Sequence, residues 1–133
     1  MIKIFLCTGI VVALILCTAV WNMFAATFNW KLWLPIYRAR GLIRVMARQR
    51  VPTADVISMQ GATSISPRYL SFCIKTTTDR ERDLLRNDPE IINDFRKALR
   101  VARYPEEAIE LVKLGVESQE TIDREHAGNW NEY

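Results

Sequence analysis

"NWKLWLPIYRARGLIRVMARQR", residues 29–50, holds three large aromatic residues, six basic residues and no acid. Its reading decides the fold, because it stands between an uncharged N-terminal run and a mixed-charge remainder. It is a collar on a membrane anchor, a solvated basic linker, or an arm for nucleic acid. The charge distribution of the 133-residue chain bears on the choice. Residues 1–50 carry seven Lys or Arg and no acid, and residues 51–133 carry the other eleven together with all fifteen acids. The basic pI of about 8.9 is therefore a property of the N-terminal fifty residues and does not describe a basic domain. Such asymmetry points to a membrane-proximal or nucleic-acid-proximal arm joined to a mildly acidic domain.

Upstream of the stretch, from Ile4 to Trp30, no residue is charged. The run "IFLCTGIVVALILCTAVWNMFAA" is long enough, at about 1.5 Å per residue, to cross a hydrocarbon core about 30 Å thick. Residues 1–27 are accordingly predicted to form a transmembrane helix. Lys3 and Cys17-Thr18-Ala19 resemble the n-region and cleavage site of a signal peptide, but the apolar run continues through Val20, Trp21, Met23 and Phe24. That length favours retention over cleavage. The excess of Lys and Arg after the run places the downstream side in the cytoplasm. The resulting expectation is a single-pass inner-membrane protein with its N-terminus outside.

Residues 28–50 then form the basic aromatic juxtamembrane segment. Trp21, Trp30 and Trp33 have the amphipathic character of interface anchors. Pro35 is predicted to break the helix, since it removes a backbone donor and clashes with the preceding turn. Beyond it, Arg40, Arg44 and Arg48 recur at every fourth residue and make one stripe. With Lys31, Arg38 and Arg50 they would hold the chain to a bilayer with anionic headgroups, their stems lying over apolar surface. A solvated linker remains the alternative. A nucleic-acid partner is not expected, because no recognised binding motif follows the basic residues.

Residues 51–67, "VPTADVISMQGATSISP", read as a linker with one short extended piece at Val56–Met59. The domain is expected over 68–133. "RYLSFCIKT" alternates, with Leu70, Phe72 and Ile74 on one side, and reads as a strand. Thr78 and Glu81 match a capping box at a helix start. Asp88 and Pro89 open a second helix carrying Ile91, Ile92, Phe95 and Leu99. Leu111–Val116 reads as a strand after one helical turn from Pro105, because Gly115 disfavours a helix interior. One continuous helix over 105–117 is the alternative. Ser118 caps a last helix over 119–125. The predicted architecture is one transmembrane helix plus a small α+β domain, ordered β-α-α-β-α, with a mainly α domain as the alternative. A domain so small is marginal alone and is expected to pack on a protein partner or on a second copy.

The three cysteines, Cys7, Cys17 and Cys73, form no framework and no CxxC, which fits a reducing compartment. The chemistry-bearing candidates are Glu117, Glu120, Asp123 and His126, at successive three-residue steps in "ESQETIDREHAGNW" (residues 117–130). On a helix these neighbours can meet, and Asp123-x-x-His126 has a spacing used in metal sites. A solvated acidic face is the plainer reading. No cofactor is implied: no glycine-rich phosphate loop occurs, and the single histidine leaves no recognisable nucleophile motif. Trp130 is expected to fold back as a plug on the core.

"SPRYLSFCIKTTTDRERDLLRNDP" (66–89) and "ESQETIDREHAGNW" resemble stretches of small uncharacterised bacterial proteins in which a strand, a helical region and a SQET-DRE-GNW-like C-terminal segment recur. The resemblance covers residues 66–130 and carries no known activity. It implies that this part can exist without the first fifty residues, the anchor being an addition, or the gene start being over-extended with Met59 near the true beginning. The sequence thus predicts a membrane-anchored interaction or regulatory domain, with a metal-dependent or other enzyme at residues 117–126 as the alternative.

Overall fold

The computed structural model describes Cys17, Thr18 and residues 30–131. The chain divides into two units, Met1–Trp30 and Lys31–Tyr133. In the first, Cys17, Thr18 and Trp30 are described, each in helical conformation. Apart from Cys17 and Thr18, the predicted span over 1–27 lies outside the described residues, as does Trp21.

Helix α1, Trp30–Arg50, has 21 residues, all but the first in the second unit. At about 1.5 Å per residue this is length enough to cross a bilayer, but Lys31 and five arginines make it too polar. Among the described residues no helix is long and apolar enough to cross a membrane. For the described residues this corrects the expected transmembrane helix and, with it, the single-pass inner-membrane location.

Pro35 does not break α1; it lies inside the helix. An interior proline costs about 3 kcal/mol, whereas full burial of one large aliphatic side chain contributes about 1.5–3 kcal/mol. Ile36, Ala39, Ile43, Met46 and Ala47, all after the proline, are buried on one face. Their combined burial outweighs the lost backbone bond. From Trp30 on, the segment expected as a juxtamembrane collar is therefore the first helix of the domain.

The expected linker also belongs to the domain, because β1, Asp55–Met59, lies within it. β2, Ser71–Thr76, follows a short 3-10 turn at Pro67–Tyr69. Helices α2 (Asp79–Arg86), α3 (Ile91–Val101) and α4 (Glu106–Ile109) lead to β3 (Lys113–Ser118) and α5 (Gln119–His126). The sheet has the order β1-β2-β3. β1 runs antiparallel to β2, Asp55 opposite Lys75 and Met59 opposite Ser71. β2 and β3 are parallel, from Ser71 opposite Lys113 to Thr76 opposite Ser118, so the helices between them serve as the crossover that a parallel pair requires. The β-α-α-β-α expectation thus lacked the helix at its start; the extended piece expected at Val56–Met59 is the strand β1 and belongs to the sheet, and the helical turn expected from Pro105 is α4. The mainly α alternative falls to the sheet. The continuous helix over 105–117 falls to β3, where Gly115 stands opposite Cys73.

Local signals place the elements. Thr78 and Glu81 form the complete capping box at α2. The Asp88 carboxylate accepts from Glu90 N–H at 2.9 Å, although α3 itself begins at Ile91. Alternation along β2 sends Phe72 and Ile74 into the core, where Phe72 meets Phe95 of α3 edge-to-face at 5.9 Å. Tyr104 ties the end of α3 to the sheet entrance, its hydroxyl donating to Pro67 C=O at 2.6 Å.

The arginine stripe is real, but its partner is the sheet. Arg40 Nε donates to Val56 C=O at 2.8 Å and Arg48 Nε to Ala54 C=O at 2.9 Å. Between them Arg44 Nε pairs with Asp55 Oδ1 at 2.7 Å, and the same oxygen accepts from Val56 N–H at 2.8 Å. The three arginines thus converge on three consecutive residues, Ala54 to Val56, the outer two on backbone carbonyls and the middle one on a carboxylate. Arg50 continues inward, bonding Asp88 and, at 2.6 Å, Asp94. Headgroup anchoring by Arg40, Arg44, Arg48 and Arg50 is thereby corrected. Lys31 and Arg38 are exposed, and Trp33 is exposed and stacked on Tyr37 at 5.7 Å.

Hydrogen bonds from charged donors are worth about 1.5–3 kcal/mol. Arg40→Ala should therefore destabilise the chain by about 1–3 kcal/mol, while Arg38→Ala should stay within about 0.5 kcal/mol of the parent. Urea unfolding compares the two, and equal midpoints would refute the tie between stripe and strand.

Candidate functional site

β2 and β3 end level with each other, and each turns directly into a helix. The N-termini of α2 and α5 therefore sit side by side, bringing two partially positive helix ends together. The residues that gather there belong to both helices and to the strand ends. Glu117, 5 % exposed, accepts from Arg82 Nη1 at 3.3 Å and from Arg86 Nη2 at 3.0 Å. Asp79 accepts from Ser118 Oγ, from Thr121 Oγ1 at 2.8 Å, from Arg82 Nη1 at 3.0 Å and from Arg124 Nη1 at 3.2 Å. Glu120 reaches across to accept from the Asp79 backbone N–H at 2.8 Å.

Each helix thus supplies a carboxylate to the other's N-terminus. The place where an anion would be drawn is occupied by the chain's own Asp79 and Glu120. Ser118 is fully buried; its Oγ accepts from Thr121 N–H at 3.0 Å while donating to Asp79. The hydroxyl thus caps α5 as acceptor and ties α5 to Asp79 of α2 as donor. Replacing either partner of the Glu117–arginine group would leave a buried charge uncompensated, so the group fixes the crossover helix against β3.

The four sequence candidates separate. Glu117 and Glu120 enter this network. Asp123 lies on the exposed side of α5, accepting from Gln119 Nε2 at 2.7 Å. His126 is the last residue of α5 and half-buried. Among the described residues no three His, Cys, Asp or Glu side chains stand where they could share a metal ion. Sequence reasoning missed Asp79, Arg82, Arg86, Thr121 and Arg124, which lie about forty positions from their partners. The capping signals at Thr78 and Ser118 marked both helix starts; the parallel pairing that joins them had no local signal. After α5, Ala127 (φ 49°) and Gly128 (φ 80°) reverse the chain. Trp130 then lies half-buried under Lys75, with Nζ 4.2 Å from the ring centroid, and donates to Gln119 Oε1 at 2.9 Å. It straps α5 to the sheet, where a core plug was expected.

A second feature lies on the outer face of α1. Leu42, Val45, Met46 and Gln49 line one wall of a cavity of about 230 Å³, and Asp94, Lys97, Ala98 and Val101 of α3 line the other. Val45 and Val101 are 58 % and 62 % exposed, while Met46 and Ala98 form the buried floor. Both helices present the same i, i+3, i+4, i+7 pattern.

No family model matches the chain, and comparison with curated proteins and with solved structures gives no match. The functional reading therefore rests on the geometry of these two features.

Hydrogen bonds from Ser118 and Thr121, helped by Arg124 and Arg82, hold the Asp79 carboxyl down to about 2 from an ordinary 3.8. A carboxyl held low in the folded state favours folding above its unfolded value, and that contribution disappears as pH falls through the folded value. Stability should decline between about pH 4 and pH 2. Glu81, held low chiefly by the Thr78 N–H, and Asp88, held low chiefly by the Glu90 N–H, act in the same direction. Asp79→Asn should consequently flatten part of the slope, read as urea midpoints across that range; an unchanged slope would show that the network does not hold Asp79 ionised.

Proposed function

We propose that this chain is a protein-interaction domain that binds a partner through the groove between α1 and α3. One observation carries the reading: exposed Leu42 and Val45 of α1 and exposed Val101 of α3 border a common groove floored by Met46 and Ala98. Large exposed apolar residues scattered singly are ordinary, whereas a contiguous set with a defined floor marks recognition surfaces. The strand-end network supports it from the other side, since its polar groups are spent on holding helices.

A photo-crosslinking amino acid placed at Val45 or Val101 of the full-length chain in cells should give a discrete adduct that the same probe at Lys113 does not. A Val45→Asp change should remove the adduct at Val101 while leaving the unfolding midpoint within about 0.5 kcal/mol of the parent. Equal labelling at all three positions would refute the groove as the binding surface.

A second reading, catalysis near residues 117–126, is favoured by the place where the network lies. Open α/β sheets bind ligands beyond the carboxyl ends of parallel strands, and β2 and β3 end there beside Glu117 and Asp79. Stoichiometric uptake of Zn²⁺ or Mn²⁺ by the full chain, lost in His126→Ala, would support it over the interaction reading; no uptake would count against its metal-dependent form.

A further inference from the structure

We infer that the occupant of the α1–α3 groove is an amphipathic helix with an acidic flank. This rests on the interaction reading of the same groove and gives the partner its chemistry. The shape argues for a helix. Side chains at i, i+3, i+4 and i+7 line each wall, which is the spacing along one face of a helix. A third helix laid between two others inserts its own i, i+3, i+4, i+7 ridge into the grooves they form. Arg50, at the end of α1, bonds Asp88 and Asp94 at the start of α3. The helices are thereby set in opposite directions along the groove, with Gln49 at the same end as Asp94 and Leu42 towards Val101.

The charge argues for acid on the partner. Asp94 is the acid in the lining, and its carboxylate is bonded at 2.6 Å to Arg50, which it shares with Asp88. Lys97 lines the groove and is exposed. Arg38, one turn before Leu42 on the same side of α1, is exposed as well. The other arginines of α1 beyond Arg38 are turned inward to Val56, Asp55, Ala54 and the start of α3. The rim therefore presents uncompensated positive charge beside an apolar floor. A second copy docking α1 on α1 would bring basic rim against basic rim, and like charges across an interface are disfavoured. A partner whose apolar stripe is bordered by Glu or Asp satisfies both the floor and the rim.

Two synthetic peptides test this, each a sixteen-residue helix with Leu at i, i+3, i+4 and i+7, one flanked by Glu and the other by Lys. Fluorescence anisotropy against the full-length chain should show the Glu peptide binding at least tenfold more tightly than the Lys peptide. Val45→Asp should abolish that binding, and the Arg38→Glu, Lys97→Glu double change should reverse the preference. Equal binding of both peptides, or an unchanged preference in the double variant, overturns the acidic helix. A dimer in sedimentation that Val45→Asp dissolves also overturns it, in favour of a second copy. If neither peptide binds while adducts persist at Val45, the partner chemistry fails and the interaction reading stands. If the adducts are missing too, both fail.

Discussion

The fold depends on the contact between the arginine stripe of α1 and the outer edge of β1. Val56 turns both its N–H and its C=O away from β2, and Asp55 and Arg40 satisfy them. Arg48 does the same for Ala54 C=O. An edge strand with unpaired backbone groups is a template for unwanted pairing. A helix carrying arginine at every fourth position closes that edge without needing another strand. The contact also fixes the rotation of α1. With Arg40, Arg44 and Arg48 held against the strand, Ile36, Ala39 and Ile43 must face the core, and Leu42 and Val45 must face away from the sheet. The groove with α3 follows from the same constraint.

Much of the local structure was legible in the sequence. β2 showed its alternation, α2 its Thr78–Glu81 box, α3 its Asp88 signal, and α5 its cap at Ser118. Gly115 correctly argued for a strand. What could not be read was long-range. The charge-free run before Trp30 makes any following basic helix look like a membrane collar, and a stripe of Arg40, Arg44 and Arg48 suits phosphates as well as the carbonyls and carboxylate it meets here. Only the position of β1 decides between them, and although an extended piece was expected at Val56–Met59, nothing local in that stretch said that it pairs with β2. The strand-end network was illegible for the same reason. Asp79 and Thr121 are joined by a parallel pairing, and parallel pairing leaves no turn signal between its strands.

The network also explains why the acidic C-terminal segment looked like a site. Its carboxylates are real, and two of them enter the network, Glu117 buried and Glu120 exposed, but the positive charge they answer belongs to the chain: two helix N-termini, Arg82, Arg86 and Arg124. Helix ends of like sign placed side by side repel unless anions lie between them. The chain carries those anions itself: Glu120 caps α2 at the Asp79 N–H, and Asp79 accepts from the Ser118 and Thr121 hydroxyls at the start of α5. That arrangement makes the β2–β3 pairing and the α2–α5 contact interdependent, so that loss of Asp79 would be felt at both.

Both edges of the sheet are closed by arginine. At the far side from β1, Arg86 Nε and Nη2 donate to Val116 C=O at 3.0 and 2.8 Å. Lys113 N–H points towards Leu70 of the neighbouring strand, so alternation along β3 sends Val116 outward, and Arg86 meets it there. A partner adding a strand would have to displace a charged donor at either edge, losing about 1.5–3 kcal/mol for each hydrogen bond given up. The α1–α3 groove asks no such exchange, because its floor is apolar and its one acid is already paired. Recognition by a helix is therefore the mode that this surface opposes least, and the same arginines that close β1 are what leave the groove turned outward.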